Sequence, residues 1–161
     1  MKHEKLNTAV GIIVFIIAVY VLDAFLFTLI DALGLIGVAR QVLGLKGYAP
    51  NVCMYLATLL SILLVTFIYG CFFWFNHKTV KAGALLFITV DILQNIIRNI
   101  HTWSMKSRIS SEYLTEQVIE QGIIKNVILM LLSRIAILVI ALICIKSLYS
   151  LGGRLRHKKP S

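Results

Sequence analysis

Four long apolar blocks separated by short polar stretches set the pattern of this chain. They run from about Thr8 to Ile30, Val52 to Phe75, Ala82 to Ile100 and Ile123 to Leu148. A spanning helix needs about 20 apolar residues, because the hydrocarbon core is roughly 30 Å thick and each helical residue rises about 1.5 Å. The blocks meet that length, and each carries few charges. The pattern predicts an all-α, polytopic integral membrane protein. Its expected form is a four-transmembrane-helix bundle making one membrane domain over 1–161, with a basic cytoplasmic tail at 149–161. The lipid bilayer is then its solvent and first partner.

Two stretches between the blocks carry patterns of their own. Segment 32–50 is punctuated by Gly34, Gly37, Gly44 and Gly47 and ends at Pro50. Leu35, Ile36, Val38, Val42 and Leu43 alternate there with Arg40 and Gln41, which predicts a short amphipathic helix at the outer interface. Segment 104–122 is more polar. Ser110 and Ser111 are candidate caps for a second short outer helix, ended by Gly122. Glu112, Glu116 and Glu120 recur every fourth residue and share one face of it. They form either a solvated face or an outer docking face for a partner.

Composition and charge sharpen this picture. The chain is 59% hydrophobic and 14% charged, too little polar surface to cover a water-soluble core of this size. The net charge of +9 does not point to nucleic acid, because the bases gather at the ends of the apolar blocks and no basic-aromatic module accompanies them. Lys2, Lys5, Lys78, Lys81, Lys146, Arg154, Arg156, Lys158 and Lys159 fall on one side. Arg40, Lys46, Lys106, Arg108 and Lys125 fall on the other, offset by Asp31, Glu112, Glu116 and Glu120. The positive-inside rule therefore puts both termini and the 76–81 turn in the cytoplasm. The first block is too long for an ordinary signal-peptide core, and Asp23-Ala24 fall where a clean small-x-small cleavage site should be. It is expected to stay as a helix.

The charges inside the blocks are the most informative residues. Asp23 lies in the first block, Asp91, Gln94, Asn95 and Arg98 in the third, and Arg134 in the fourth. Spacings of three, four and seven from Asp91 put the third-block residues on one helix face. Charges at membrane depth turn inward and find partners. Counted from the basic ends, Asp91 and Arg134 lie roughly 15 and 18 Å deep, and Asp23 and Arg98 roughly 20 and 25 Å. Two pairs follow as expectations, Asp91 with Arg134 and Asp23 with Arg98, in one intramembrane polar network.

No residue set spells out catalysis. Cys53, Cys71 and Cys144 have no ligand spacing, no histidine sits mid-span, and HExxH and GxSxG are both missing. The expectation is a non-enzymatic protein with no metal or cofactor. The mid-helix Asp23, the Gly-punctuated 34–47 segment, the short basic turn after the second block and the Gln121-to-Leu132 run with Ile128-Leu129-Met130-Leu131-Leu132 at its centre resemble small bacterial inner-membrane proteins of the YbjO type. The layout is also similar to phage superinfection-exclusion proteins and to immunity proteins against pore-forming bacteriocins. The resemblance implies the bacterial inner membrane and action by binding another membrane or envelope protein, in exclusion, immunity or regulation of a membrane complex. The alternative is a small transporter or channel subunit, working as a homo-oligomer around the polar face of the third helix.

Overall fold

A computed structural model describes the backbone at residues 2–42, 44, 49–72, 76–109 and 116–157. It describes side chains at 6–42, 44, 49–72, 76–101, 125 and 127–154. The described residues form five helices: α1 (Lys2–Ala32), α2 (Leu35–Val42), α3 (Ala49–Phe72), α4 (His77–Ile109) and α5 (Glu116–His157). Four of them hold segments long and apolar enough to cross a membrane: Leu6–Ala32, Ala49–Phe72, His77–His101 and Val127–Arg154. All four expected blocks are therefore helical over their described residues.

Local chemistry sets the breaks. α1 stops where Gly34 takes a left-handed φ of 69°, a conformation that costs a side-chain-bearing residue more than glycine. The Gly34 amide donates to the Asp31 carbonyl at 2.9 Å, and the Gly34 carbonyl accepts from Val38 at 3.1 Å. One residue thus ends α1 and opens α2. Gly44, at φ 63°, follows α2. Pro50 lies in the first turn of α3, where its missing N–H costs nothing. Asn76 caps α4: its Oδ1 accepts from the Lys78 amide at 3.3 Å and its carbonyl from the Thr79 amide at 2.9 Å.

The later boundaries differ from the sequence expectation. α4 continues past Ile100 to Ile109, and α5 begins at Glu116 and runs through Gly122. The second outer helix, expected to end at Gly122, is the opening of α5. No glycine or proline stands between Gly83 and Gly122, and polar side chains alone do not end a helix. A single interior glycine costs about 1 kcal/mol, which the turns on either side carry. The expected basic tail from 149 is likewise helical as far as His157. α3 starts earlier than expected, at Ala49, and its described part ends at Phe72. α2 is present as expected, with Leu35, Val38, Arg40 and Val42 exposed.

α3 packs most extensively on α5; α1 contacts α3 and α4, and α4 contacts α5. The long helices therefore follow the order α1, α3, α5, α4 around a shared core. Phe15 and Val19 enter it from α1, Ile62 and Val65 from α3, Phe87 and Ile88 from α4, and Ile137 and Ile145 from α5. The outer faces are just as apolar, with Ile17, Phe25, Ile97 and Ile143 exposed. In lipid such an inside and outside are alike, so close packing and polar contacts must hold the helices together. Two contacts do so at one end. A Cβ on Gly152 of α5 would lie 2.6 Å from the Phe67 carbonyl oxygen, and one on Gly70 of α3 would lie 2.9 Å from the Tyr149 Cα. The two backbones touch there because neither glycine has a side chain.

Phe15 locks α1 against α4 in the same way. A Cβ on Gly83 would meet the Phe15 ring at 2.7 Å. The same ring meets Tyr69 edge-on, with centroids 5.5 Å apart. The Tyr69 hydroxyl donates to the Gly11 carbonyl at 3.3 Å. These contacts fix the height of α1 relative to α3 and α4, and so the height of Asp23.

Candidate functional site

Above this core lies a polar layer to which each long helix contributes one residue: Asp23 of α1, Thr58 of α3, Asp91 of α4 and Arg134 of α5. Arg134 is its centre. It is 2% exposed, and its Nε lies 2.7 Å from Asp91 Oδ2. No aligned hydrogen bond joins those two atoms, so charge holds the contact. Nη1 donates to Thr58 Oγ1 at 3.2 Å. The guanidinium carbon stands 5.0 Å from the centre of the Tyr55 ring, within cation–π range. One side chain of α5 thereby ties α4 and α3.

Asp91 is held by its own helix as well. Asn95 Nδ2 donates to the Asp91 carbonyl at 2.8 Å and to its Oδ1 at 3.1 Å. Gln94 is exposed and accepts from the Tyr20 hydroxyl of α1 at 3.3 Å. The Tyr20 ring packs edge-on to Phe87 at 4.8 Å. Arg98, also exposed, is close enough for its charge to act on Asp91. The structure therefore brings Asp91 and Arg134 together as the depth count expects.

Asp23 departs from expectation. It interacts with Arg134, Asp91 and Thr58 rather than with Arg98. The cause is the register set by Phe15 and Gly83. Asp23 is eight residues beyond Phe15 (23 − 15 = 8) and Asp91 eight beyond Gly83 (91 − 83 = 8). On helices running the same way, the two carboxyl groups reach one level. Arg98 lies seven residues further, about 10 Å along the axis. The sequence count started each helix from its own basic end and so missed this offset. Asp23 Oδ1 is buried and makes no hydrogen bond.

Sequence reasoning also passed over Thr58, Tyr55 and Tyr20. A hydroxyl that bonds back to its own helix carries no visible signature in an apolar run, and Thr58 does bond back, donating to the Met54 carbonyl at 3.0 Å. The usable signal was the three-residue spacing of Tyr55, Thr58 and Ser61 on one face of α3. Of the expected docking face, Glu112 lies outside the described residues. Glu116 and Glu120 open α5, and their side chains lie outside the description.

Cys53 is buried, and Cys71 and Cys144 are half-buried, all as free thiols. Among the described residues, no three His, Cys, Asp or Glu side chains are grouped to hold a metal. What the layer offers chemically is two carboxyl groups, one guanidinium and one hydroxyl, able to clamp helices and to carry a proton. Comparison of the chain with protein-family models, with curated proteins and with solved structures gives no match.

Proposed function

We propose that this chain is a multi-pass protein of the bacterial inner membrane, a four-helix bundle with cytoplasmic termini. In this reading it acts without chemistry of its own, by binding a partner protein in the membrane. The observation that carries the reading is a change in packing along α1 and α4. Among the described residues, the last buried residue of α1 is Val19 and that of α4 is Ile88. Beyond them α3 and α5 stay packed, through Ala49, Cys53, Ala57, Met130 and Arg134. Gln94 and Arg98 are exposed on that open half of α4, inside a segment long enough to span a bilayer. Polar side chains facing hydrocarbon are costly, and a partner helix against this face would cover them. Exposed Lys78, Lys146 and Arg154 at the opposite end support the orientation.

The test is site-specific photo-crosslinking in native membranes. A crosslinker at Leu93, Gln94 or Ile97 should capture a discrete protein, and one at Val139 or Ile143 of α5 should meet only lipid. Lipid adducts at all five sites would end the reading. Exclusion of phage DNA, immunity to a pore-forming toxin and regulation of a membrane complex all use such binding. Deletion and expression strains challenged with phages and toxins separate them.

A second reading, a transporter or channel subunit, is favoured by one observation: the buried Asp23 Oδ1 without a hydrogen bond in a polar layer. Reconstituted protein should then pass ions or a small solute, and vesicles that stay tight would dispose of it.

A further inference from the structure

Two contacts set the register of the antiparallel helices α4 and α5. Asp91 pairs with Arg134 at 2.7 Å. Further toward the start of α4, His77 meets Tyr149, with ring centroids 6.3 Å apart. The second contact is 14 residues back along α4 (91 − 77 = 14) and 15 forward along α5 (149 − 134 = 15), so the two helices keep step between them. Lys81 lies four residues in from His77 (81 − 77 = 4) and Lys146 three in from Tyr149 (149 − 146 = 3). Those spacings place each lysine one turn deeper, on the side of its helix that carries the ring. Lys78 follows His77 directly. The three lysines therefore fall within about 5 Å of one another along the bundle axis. Lys78 and Lys146 are exposed and Lys81 is half-buried.

Among the described helices no acid stands at this level. On α4 the nearest is Asp91, ten residues deeper than Lys81 (91 − 81 = 10), or about 15 Å along the axis. α3 has no acid, and those of α5, Glu116 and Glu120, belong to its other end. On α1, Phe15 seats against Gly83, which brings residue 13 level with Lys81. Glu4 then lies nine residues beyond that level (13 − 4 = 9), about 14 Å away. Like charges gathered in this way repel unless an anion joins them. One turn deeper the same two faces are apolar. Leu85 follows Lys81 by four residues and Ile143 precedes Lys146 by three, and they are 43% and 71% exposed. Cations above an uncovered apolar wall match a phosphate with a hydrocarbon chain hanging from it. A free phosphate would use the upper half alone.

We propose that this end of the α4–α5 seam binds an anionic phospholipid, with its phosphate among Lys78, Lys81 and Lys146 and an acyl chain along Leu85 and Ile143. Lysine stems are long enough to lie along the helix and hold their charged ends at phosphate height. A zwitterionic lipid brings its own cation beside the phosphate and answers the lysines less well, so net negative charge is selected. The inference rests on the chain spanning a membrane but on no partner protein. Failure of lipid binding leaves the crosslinking test standing, and the reverse.

The test is native mass spectrometry of the full chain in detergent, titrated with phosphatidylglycerol or with phosphatidylcholine. The wild-type protein should bind phosphatidylglycerol about tenfold more tightly. Lys81→Gln combined with Lys146→Gln should remove about that advantage. Lys146→Gln alone, at an exposed position, should weaken binding about fivefold and keeps the test open if the double variant fails to fold. Arg40→Gln combined with Lys125→Gln takes the same charge from exposed positions elsewhere and should change nothing. Equal affinity for the two lipids overturns the proposal. So does an equal loss in the Arg40 and Lys125 variant, which would mean diffuse charge attraction only. Displacement of the lipid by inorganic phosphate at equal concentration would show a free-anion site and overturn it too.

Discussion

Arg134 and Thr58 meet across the α3–α5 contact, with Nη1 3.2 Å from Oγ1. The same guanidinium is paired with Asp91 at 2.7 Å. One arginine thus bridges three helices, at the level of the polar layer. Helices in lipid gain nothing from hiding apolar surface from one another. Contacts of this kind, together with the glycine crossings, carry the specificity of packing.

Breaking the charge pair from one side should be costly. Asp91→Asn or Arg134→Gln leaves a buried charge without its counterion, a change worth about 3–5 kcal/mol in well-buried pairs. The double variant removes both charges and should recover part of that loss. Thermal unfolding in mild detergent compares the three. A double variant no more stable than the worse single one would show that the pair is not what joins α4 to α5.

Thr58 should matter through its oxygen. Thr58→Val keeps the shape but deprives Arg134 of an acceptor, with an expected loss of about 1.5–3 kcal/mol for a hydrogen bond to a charged group. Thr58→Ser should stay near wild type. Equal stability of the valine and serine variants would mean that the contact to Nη1 contributes nothing.

The glycine crossing predicts a sharp contrast among alanine substitutions. Gly152→Ala and Gly70→Ala drive a methyl group into backbone atoms of the facing helix, at 2.6 Å from the Phe67 oxygen in the first case. Overpacking of this sort costs about 1–3 kcal/mol. Gly37→Ala in α2 meets nothing within 4 Å and should be neutral or gain up to about 1 kcal/mol from helix propensity. The ranking is read from unfolding midpoints, and a destabilised Gly37→Ala beside an unchanged Gly152→Ala would refute the crossing.

Topology is checked by labelling in whole cells. In a background with Cys53, Cys71 and Cys144 replaced by alanine, Arg40→Cys on exposed α2 should react with a membrane-impermeant maleimide from outside. Lys78→Cys should react only after the inner membrane is opened. The reverse pattern would invert the proposed orientation.

The sequence by itself determined the four apolar helices, because bilayer thickness and helical rise translate directly into run length. It also determined the face shared by Asp91, Gln94, Asn95 and Arg98, because helical periodicity is a local property. The pairing of Asp91 with Arg134 was within its reach, since both sit near mid-block and carry opposite charge. Tertiary structure decided the rest. Whether Asp23 stands beside Arg98 or beside Asp91 depends on how far α1 slides along α4. That offset is set by Phe15 seated against Gly83, a contact between residues 68 apart in the chain (83 − 15 = 68). The use of Gly152 as a crossing point rather than a break is likewise a matter of packing, against Phe67 and Gly70 of α3. A glycine or a buried carboxyl permits more than one outcome locally, and the packed neighbour selects among them.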